Sequence, residues 1–214
     1  HPASSVFLRV DEDRIDVMQA MITGPVDTPY ANGCFQFDIY CPHEYPDCPP
    51  VVNLQTTGAG SVRFNPNLYN CGKVCLSLLG TWNGGSNEKW NAKTSTLLQV
   101  LVSIQSLILV EMPYFNEPGY ESQMGTPQGM QKSAEYNEVI RVATIRWAMT
   151  EALRNPNKGL ESVIRTHFRL KRQEILKQVG GWLKEAASSK TMGYHAKLKK
   201  AIDELKIELQ KLDP

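Results

Sequence analysis

Cys75 ends the run Phe64-Asn65-Pro66-Asn67-Leu68-Tyr69-Asn70-Cys71-Gly72-Lys73-Val74-Cys75, and Asn67 precedes it by eight residues. A thiol is well suited to hold an acyl group as a thioester. An Asn amide can donate a hydrogen bond to a developing oxyanion or pin the loop that holds the nucleophile. Losing such a donor raises a barrier by roughly 3 kcal/mol. A thioester is already activated and needs little acid–base machinery beside it. No His lies within ten residues of Cys75, whereas a cysteine hydrolase usually needs an imidazole to make its thiolate. His167 and His195 fall in helical stretches and read as surface or packing residues. Lys73 either favours the thiolate by its charge or is simply solvated. Cys71 reads as a bystander thiol, with oxidation against Cys75 as the alternative. Taken alone, a Cys and an Asn are a weak signal, because a single Cys is most often structural.

The five cysteines, at 34, 41, 48, 71 and 75, are odd in number and read as reduced thiols inside a cell. Their spacing makes no paired metal knuckles, and no second His joins His43 at finger spacing, so no metal site is expected. No run approaches 18 apolar residues, and no basic segment followed by an apolar one opens the sequence, so neither a membrane span nor a signal peptide is expected. Residues 1–158 carry 11 Lys+Arg against 15 Asp+Glu, a net −4; residues 159–214 carry 12 against 7, a net +5. That asymmetry is too mild to argue for nucleic acid. The 214 residues are 42% hydrophobic and 21% charged, enough to bury a core without disulfide or metal staples.

The elements that must position Cys75 are legible in part. Val6–Val10 is a short apolar run, and Asp16–Thr23 is a second one with partial alternation. Phe35, Phe37 and Ile39 alternate with Gln36, Asp38 and Tyr40, a period-two strand. Cys41 shares the inward parity of these apolar positions and Cys34 has the opposite parity. Val51–Leu54 resumes an extended run after the proline-rich segment 42–50. Residues 58–95 are loop-rich, and a loop of that length in a compact domain is usually functional or disordered. Leu97, Leu98, Leu101, Ile104 and Ile108 predict a buried helix over 95–110. Residues 111–129 read as irregular, and helices are predicted over about 131–154, 159–185 and 194–212. Asn155-Pro156-Asn157 and Gly180-Gly181 read as breaks. Leu198, Ile202, Leu205, Leu209 and Leu212 form a two-heptad seam, short for an independent coiled coil and so expected to pack on its own chain. Sheet first and helices after is the α+β class.

The succession is more specific than any piece. Ile22-Thr23-Gly24-Pro25, Thr28-Pro29-Tyr30, Gly33 and Phe35 come first. Tyr45-Pro46, Pro49-Pro50 and Val52 follow, then Asn65-Pro66-Asn67, Cys75-Leu76, Trp90 and the helix around Val102–Leu107. In this order, with eight residues from Asn to Cys, the sequence resembles the catalytic domain of ubiquitin-conjugating enzymes, the E2 family, over about residues 6–154. The resemblance implies a four-stranded antiparallel meander with helices and a core over 1–154, followed by a helical C-terminal extension over 155–214. It implies that Cys75 is the thioester cysteine and that Asn67 and Pro66 belong to the family's His-Pro-Asn motif. Trp90 matches a Trp that precedes the following helix, with Trp82 a competitor for that match.

Departures from the family pattern accompany the match. Asn65 stands where the family has a mainly structural His, and Ser77 where it often has Asp. Residues 81–88 read as an inserted loop near the site. Asn116 and Glu117 are the candidates for the gate acid of a region that does not align cleanly. The helix that usually precedes the first strand is absent, which reads either as a fragment of a larger protein or as a core without it. The segments Arg63–Tyr69 and Pro113–Tyr120 resemble the giant hybrid E2/E3 enzymes of the BRUCE/Apollon inhibitor-of-apoptosis type.

The activity so implied is acceptance of ubiquitin from the E1 activating enzyme as a thioester, then transfer to substrate lysines. No cofactor is bound, and ATP is consumed by E1. Ubiquitin, E1 and protein substrates (caspases and their antagonists) are the implied partners. The implied location is the cytoplasm, or a membrane reached through a parent protein. One rival reading is a non-catalytic ubiquitin- or partner-binding module of the same fold, disfavoured by the presence of Cys75. Another is a scaffold in which Arg165, Arg169, Lys171 and Arg172 contact an acidic partner.

Overall fold

A computed structural model of the chain describes residues 5–212. Residues 1–4 and 213–214, at the outer ends of the two predicted segments, lie outside them. Strands β1 (Val6–Val10), β2 (Val17–Thr23), β3 (Cys34–Tyr40) and β4 (Val51–Leu54) pair in sequence order as an antiparallel meander. Ile22 lies opposite Phe35, and Ile39 opposite Val52. This register stacks the apolar parity of each strand on one face, where Ala20, Ile22, Phe35, Phe37 and Leu54 are buried. All four strands are where the sequence places them.

Helix α1 (Leu97–Ser103) crosses that inner face and continues as a π-helical turn over Ile104–Ile108. Thr96 caps it reciprocally with Gln99. Val100, Leu101, Ile104 and Ile108 bury into the sheet, as their spacing predicts. Helix α2 (Pro127–Ala143) starts earlier than predicted. Thr126 accepts a bond from Gly129 N at 3.0 Å, and Pro127 occupies the first turn, where its missing N–H costs nothing. It runs on through a π-helical stretch, Thr144–Glu151, into the short α3 (Ala152–Arg154).

The outer face of the sheet is not open. Helices α4 (Glu161–Ala186) and α5 (Tyr194–Gln210) lie over it and share a second core with Met21, Cys34, Ile145 and Met149. This corrects the parity reading of the cysteines. Cys34, on the outward parity, is 0% exposed because the helices cover it. Cys41, just past the end of β3, is only half-buried. Gly180-Gly181 does not break the chain either: both lie inside α4. Two interior glycines cost roughly 1 kcal/mol each relative to Ala. Burial of Val179, Trp182 and Ala186 around them outweighs that cost. The leucine seam packs on its own chain, with Leu198, Ile202, Leu205 and Leu209 buried against α4 and α2.

A polar latch fixes α4 to the turn between β2 and β3. Asn32 Nδ2 donates to Gln178 at 2.7 Å and to Glu174 at 3.2 Å, and Gln178 Nε2 donates to Ala31 O at 2.9 Å. His167 Nε2 donates to Asn32 O at 3.0 Å, and burial holds its pKa below the usual imidazole range. His195 is exposed. In the basic cluster, Arg165 pairs with Glu161 and Lys171 with Glu174. No helix among the described residues is long and apolar enough to cross a membrane.

Candidate active site

The loop-rich middle of the chain is tied down from within. Phe64, Leu68, Val74, Leu76 and Leu79 sink into the inner core, so the backbone between them has little freedom. Asn65 is the hub, fully buried at 0% exposure. Its Nδ2 donates to Ile108 O at 2.8 Å and to the Tyr30 hydroxyl at 3.2 Å; its Oδ1 accepts from Asn67 N at 2.8 Å. Tyr30 in turn donates to Phe64 O at 2.8 Å. An Asn therefore satisfies the buried loop with its own donor and acceptor, which is a structural task. Pro66, also buried, offers its carbonyl to Arg63 at 2.6 Å.

Asn67 and Cys75 hold each other across the loop. Cys75 N donates to Asn67 O at 2.9 Å, and Asn67 Nδ2 donates to Cys75 O at 2.9 Å. The side-chain amide thus grips the nucleophile's own carbonyl. Gly72 makes the turn that delivers Cys75: its φ of +90° is a conformation that side chains disfavour. Its N donates to Tyr69 O and its carbonyl accepts from Leu54 N, which anchors the turn to β4. Thr81 completes the clamp, its hydroxyl donating to Val74 O at 2.6 Å and accepting from Leu76 N at 3.0 Å. No spacing in the sequence marks Thr81, the first residue of the predicted insertion.

Cys75 is 3% exposed, at the wall of a groove of about 810 Å³. Asn67, Ser77 and Asn116 also line the groove. Asn116 Nδ2 donates to Leu107 O at 3.0 Å and reaches Asn65 at 3.4 Å. Glu117 does not line it; its carboxylate pairs with Arg63 at 3.4 Å. Trp90 stands outside as well, donating Nε1–H to Pro46 O at 2.7 Å and packing on Tyr45. Trp82, its competitor in the sequence, lines the groove. Among the described residues no group of three or more His, Cys, Asp and Glu is placed to hold a metal ion.

Burial pushes the Cys75 thiol above the ordinary thiol range, and the charges of Lys73 and Arg63 pull it back in part. A hydrogen bond with Tyr69 works in the same direction as these cations. Arg63 is also stacked over the Tyr69 ring, 4.4 Å from its centroid. Below its pKa the thiolate fraction rises about tenfold per pH unit. Alkylation of Cys75 by iodoacetamide should therefore accelerate from neutral pH into the alkaline range, read by mass spectrometry of the Cys75 peptide. Lys73→Met removes a pull toward the thiolate, so its profile should move to higher pH. The expected slowing at neutral pH is about two- to threefold, small because Lys73 is exposed. An unmoved profile would mean that Lys73 is merely solvated.

The meander sheet, the helix crossing it and a guarded thiol with no imidazole beside it define the class of ubiquitin-conjugating domains. The chain belongs to the ubiquitin-conjugating enzyme family, whose model matches residues 1–144. It is 57% identical, over 98% of its length, to the human "Dual E2 ubiquitin-conjugating enzyme/E3 ubiquitin-protein ligase BIRC6", of which it covers 4%. Over 85% of its length it is 52% identical to the Caenorhabditis elegans "Probable ubiquitin-conjugating enzyme protein 17", of which it covers 25%. The chain therefore spans a small part of these two relatives, and the similarity to the hybrid E2/E3 type suggested by the sequence is present at this level.

Proposed function

We propose that this chain accepts ubiquitin from E1 as a thioester on Cys75 and passes it to substrate amines. The observation that supports the reading best is the mutual grip of Asn67 and Cys75 at the wall of an open groove. In loading, the Cys75 thiolate attacks the carbonyl carbon of the E1-bound thioester, and the E1 thiolate leaves. In discharge, a substrate amine attacks the new thioester, the Cys75 thiolate leaves, and the nitrogen gives up its proton. The Asn67 amide steadies the loop carrying Cys75, within reach of the region where the oxyanion develops. Asn65 and Pro66 hold that loop, and Asn116 rather than Glu117 occupies the groove side of the gate region.

No cofactor is needed in this chemistry, and ATP is spent by E1. The work belongs in a reducing compartment, as for a cytoplasmic protein. Substrates in the class of caspases and their antagonists would be captured by other parts of a longer protein. The test is incubation of the chain with E1, ATP and ubiquitin, followed by a gel without reductant. A thiol-labile adduct of one ubiquitin is expected; a folded chain that binds ubiquitin but never forms the adduct would make it a binding module instead.

A further inference from the structure

The inserted segment predicted over 81–88 does more than decorate the surface. It folds over the mouth of the groove, where Trp82, Ser86, Asn87 and Glu88 form part of the wall. Among the described residues, Glu88 is the only carboxylate lining that groove. Its Oε2 accepts from Gly85 N at 3.2 Å and from the Ser77 hydroxyl at 3.4 Å. Both bonds end on the same oxygen. Ser77 lies two residues after Cys75, so the carboxylate is moored beside the thiol loop by the loop itself. Gly84 makes the approach possible, because a Cβ there would collide with the Ser77 hydroxyl and the Glu88 carboxylate. Of the other candidate acidic positions, 116 is a neutral Asn lining the groove and Glu117 is engaged with Arg63. Lys89 is the one cation among the described residues lining the groove.

The geometry points to Glu88 as the group that receives the acceptor amine at Cys75: it draws the substrate ammonium into the groove and takes the proton released as the new bond forms. This inference rests on the thioester reading proposed for Cys75. The step is balanced. The bound ammonium first gives one proton to water; the free amine nitrogen then bonds to the thioester carbonyl carbon and, now cationic, becomes acidic enough to protonate a carboxylate. The C–S bond breaks, the electron pair leaves on Cys75 as thiolate, and Glu88 returns its proton to water. Loading from E1 brings no amine to the groove, so Glu88 has no part in that step.

The test separates the two steps. The chain is loaded with ubiquitin by E1, loading is stopped with EDTA, and discharge is followed with free lysine or with hydroxylamine as acceptor. Hydroxylamine is neutral at pH 7, so no anion is needed to draw it in, and its less basic nitrogen releases its proton readily to water. Glu88→Gln keeps an oxygen to accept from Gly85 and Ser77, so the loop should stay folded. Its discharge to lysine should fall about tenfold, discharge to hydroxylamine should change less than twofold, and loading should be little affected. Glu88→Asp should recover part of the lysine rate. Glu88→Gln discharging to lysine at the parent rate, or losing both acceptors equally, would overturn the role of Glu88. Failure of the parent chain to load at all would instead overturn the thioester reading.

Discussion

Replacing Asn67 by Ala should slow discharge of the Cys75 thioester to lysine about a hundredfold, near 3 kcal/mol in barrier. The geometry explains why so small a change matters. The Asn67 amide is a donor already aimed at the Cys75 carbonyl, and the backbone between the two residues is bonded in the reverse direction. Removing the amide takes away the side-chain bond to the Cys75 carbonyl and leaves the backbone bond from Cys75 N to Asn67 O as the remaining tie between the two residues. The folded state should lose only one half-buried hydrogen bond, about 1 kcal/mol. Asn67→Asp keeps the shape and loses the donor, so it should be as slow as the Ala variant. Single-turnover discharge, with thermal unfolding as a control, checks both. If Asn67→Asp discharged at the parent rate, shape rather than hydrogen-bond donation would be what the site requires.

The largest effect on stability should come from the C-terminal helices. Removing residues 159–214 strips α4 and α5 from the sheet and exposes Met21, Cys34, Ile145 and Met149, all fully buried in the intact chain. It also removes Gln178 and Glu174, the side chains that satisfy Asn32. The shortened chain should bind a hydrophobic dye and unfold without a cooperative transition. Phe168→Ala, a single deletion within the same core, should cost about 4 kcal/mol while leaving α4 in place. Urea unfolding of the full chain and these two variants checks the prediction. A truncated chain with the parent's midpoint would mean that the outer core is dispensable. Loss of activity on truncation would therefore say nothing about a catalytic role for the tail.

The fold was legible where local pattern and tertiary environment agree. The alternation of Phe35, Phe37 and Ile39 marks a strand because one face of it meets the inner core. The seam from Leu198 to Leu209 marks a helix because one stripe of it meets the outer core. Legibility failed where a distant element changed the environment. Nothing near Cys34 announces that α4 and α5 will cover it, and nothing near Gly180-Gly181 says that buried neighbours will carry the helix through. Pro127 and Gly129 looked like loop residues, although Pro suits a helix start and Thr126 caps it.

The site shows the same division. Asn67 and Cys75 stand out by their spacing and Asn65 by the family resemblance; the three are close in sequence, and the structure brings them together. The contacts of Trp90 with Tyr45 and with Pro46, 44 residues before it, carry no local signal in the sequence. Thr81 and Glu88 act through bonds to Val74, Leu76 and Ser77, which only the folding-back of the insertion creates.

The most direct test of the account is the chemistry of the adduct formed with E1, ATP and ubiquitin. Cys75→Ser replaces sulfur by oxygen at one atom. The parent chain should give an adduct cleaved by thiol, and Cys75→Ser a thiol-stable oxyester cleaved by alkali. Cys75→Ala should give none, and Cys71→Ala should keep the parent's adduct. A thiol-labile adduct that persists in Cys75→Ala, or disappears in Cys71→Ala, would contradict the assignment of Cys75 as the residue that carries ubiquitin.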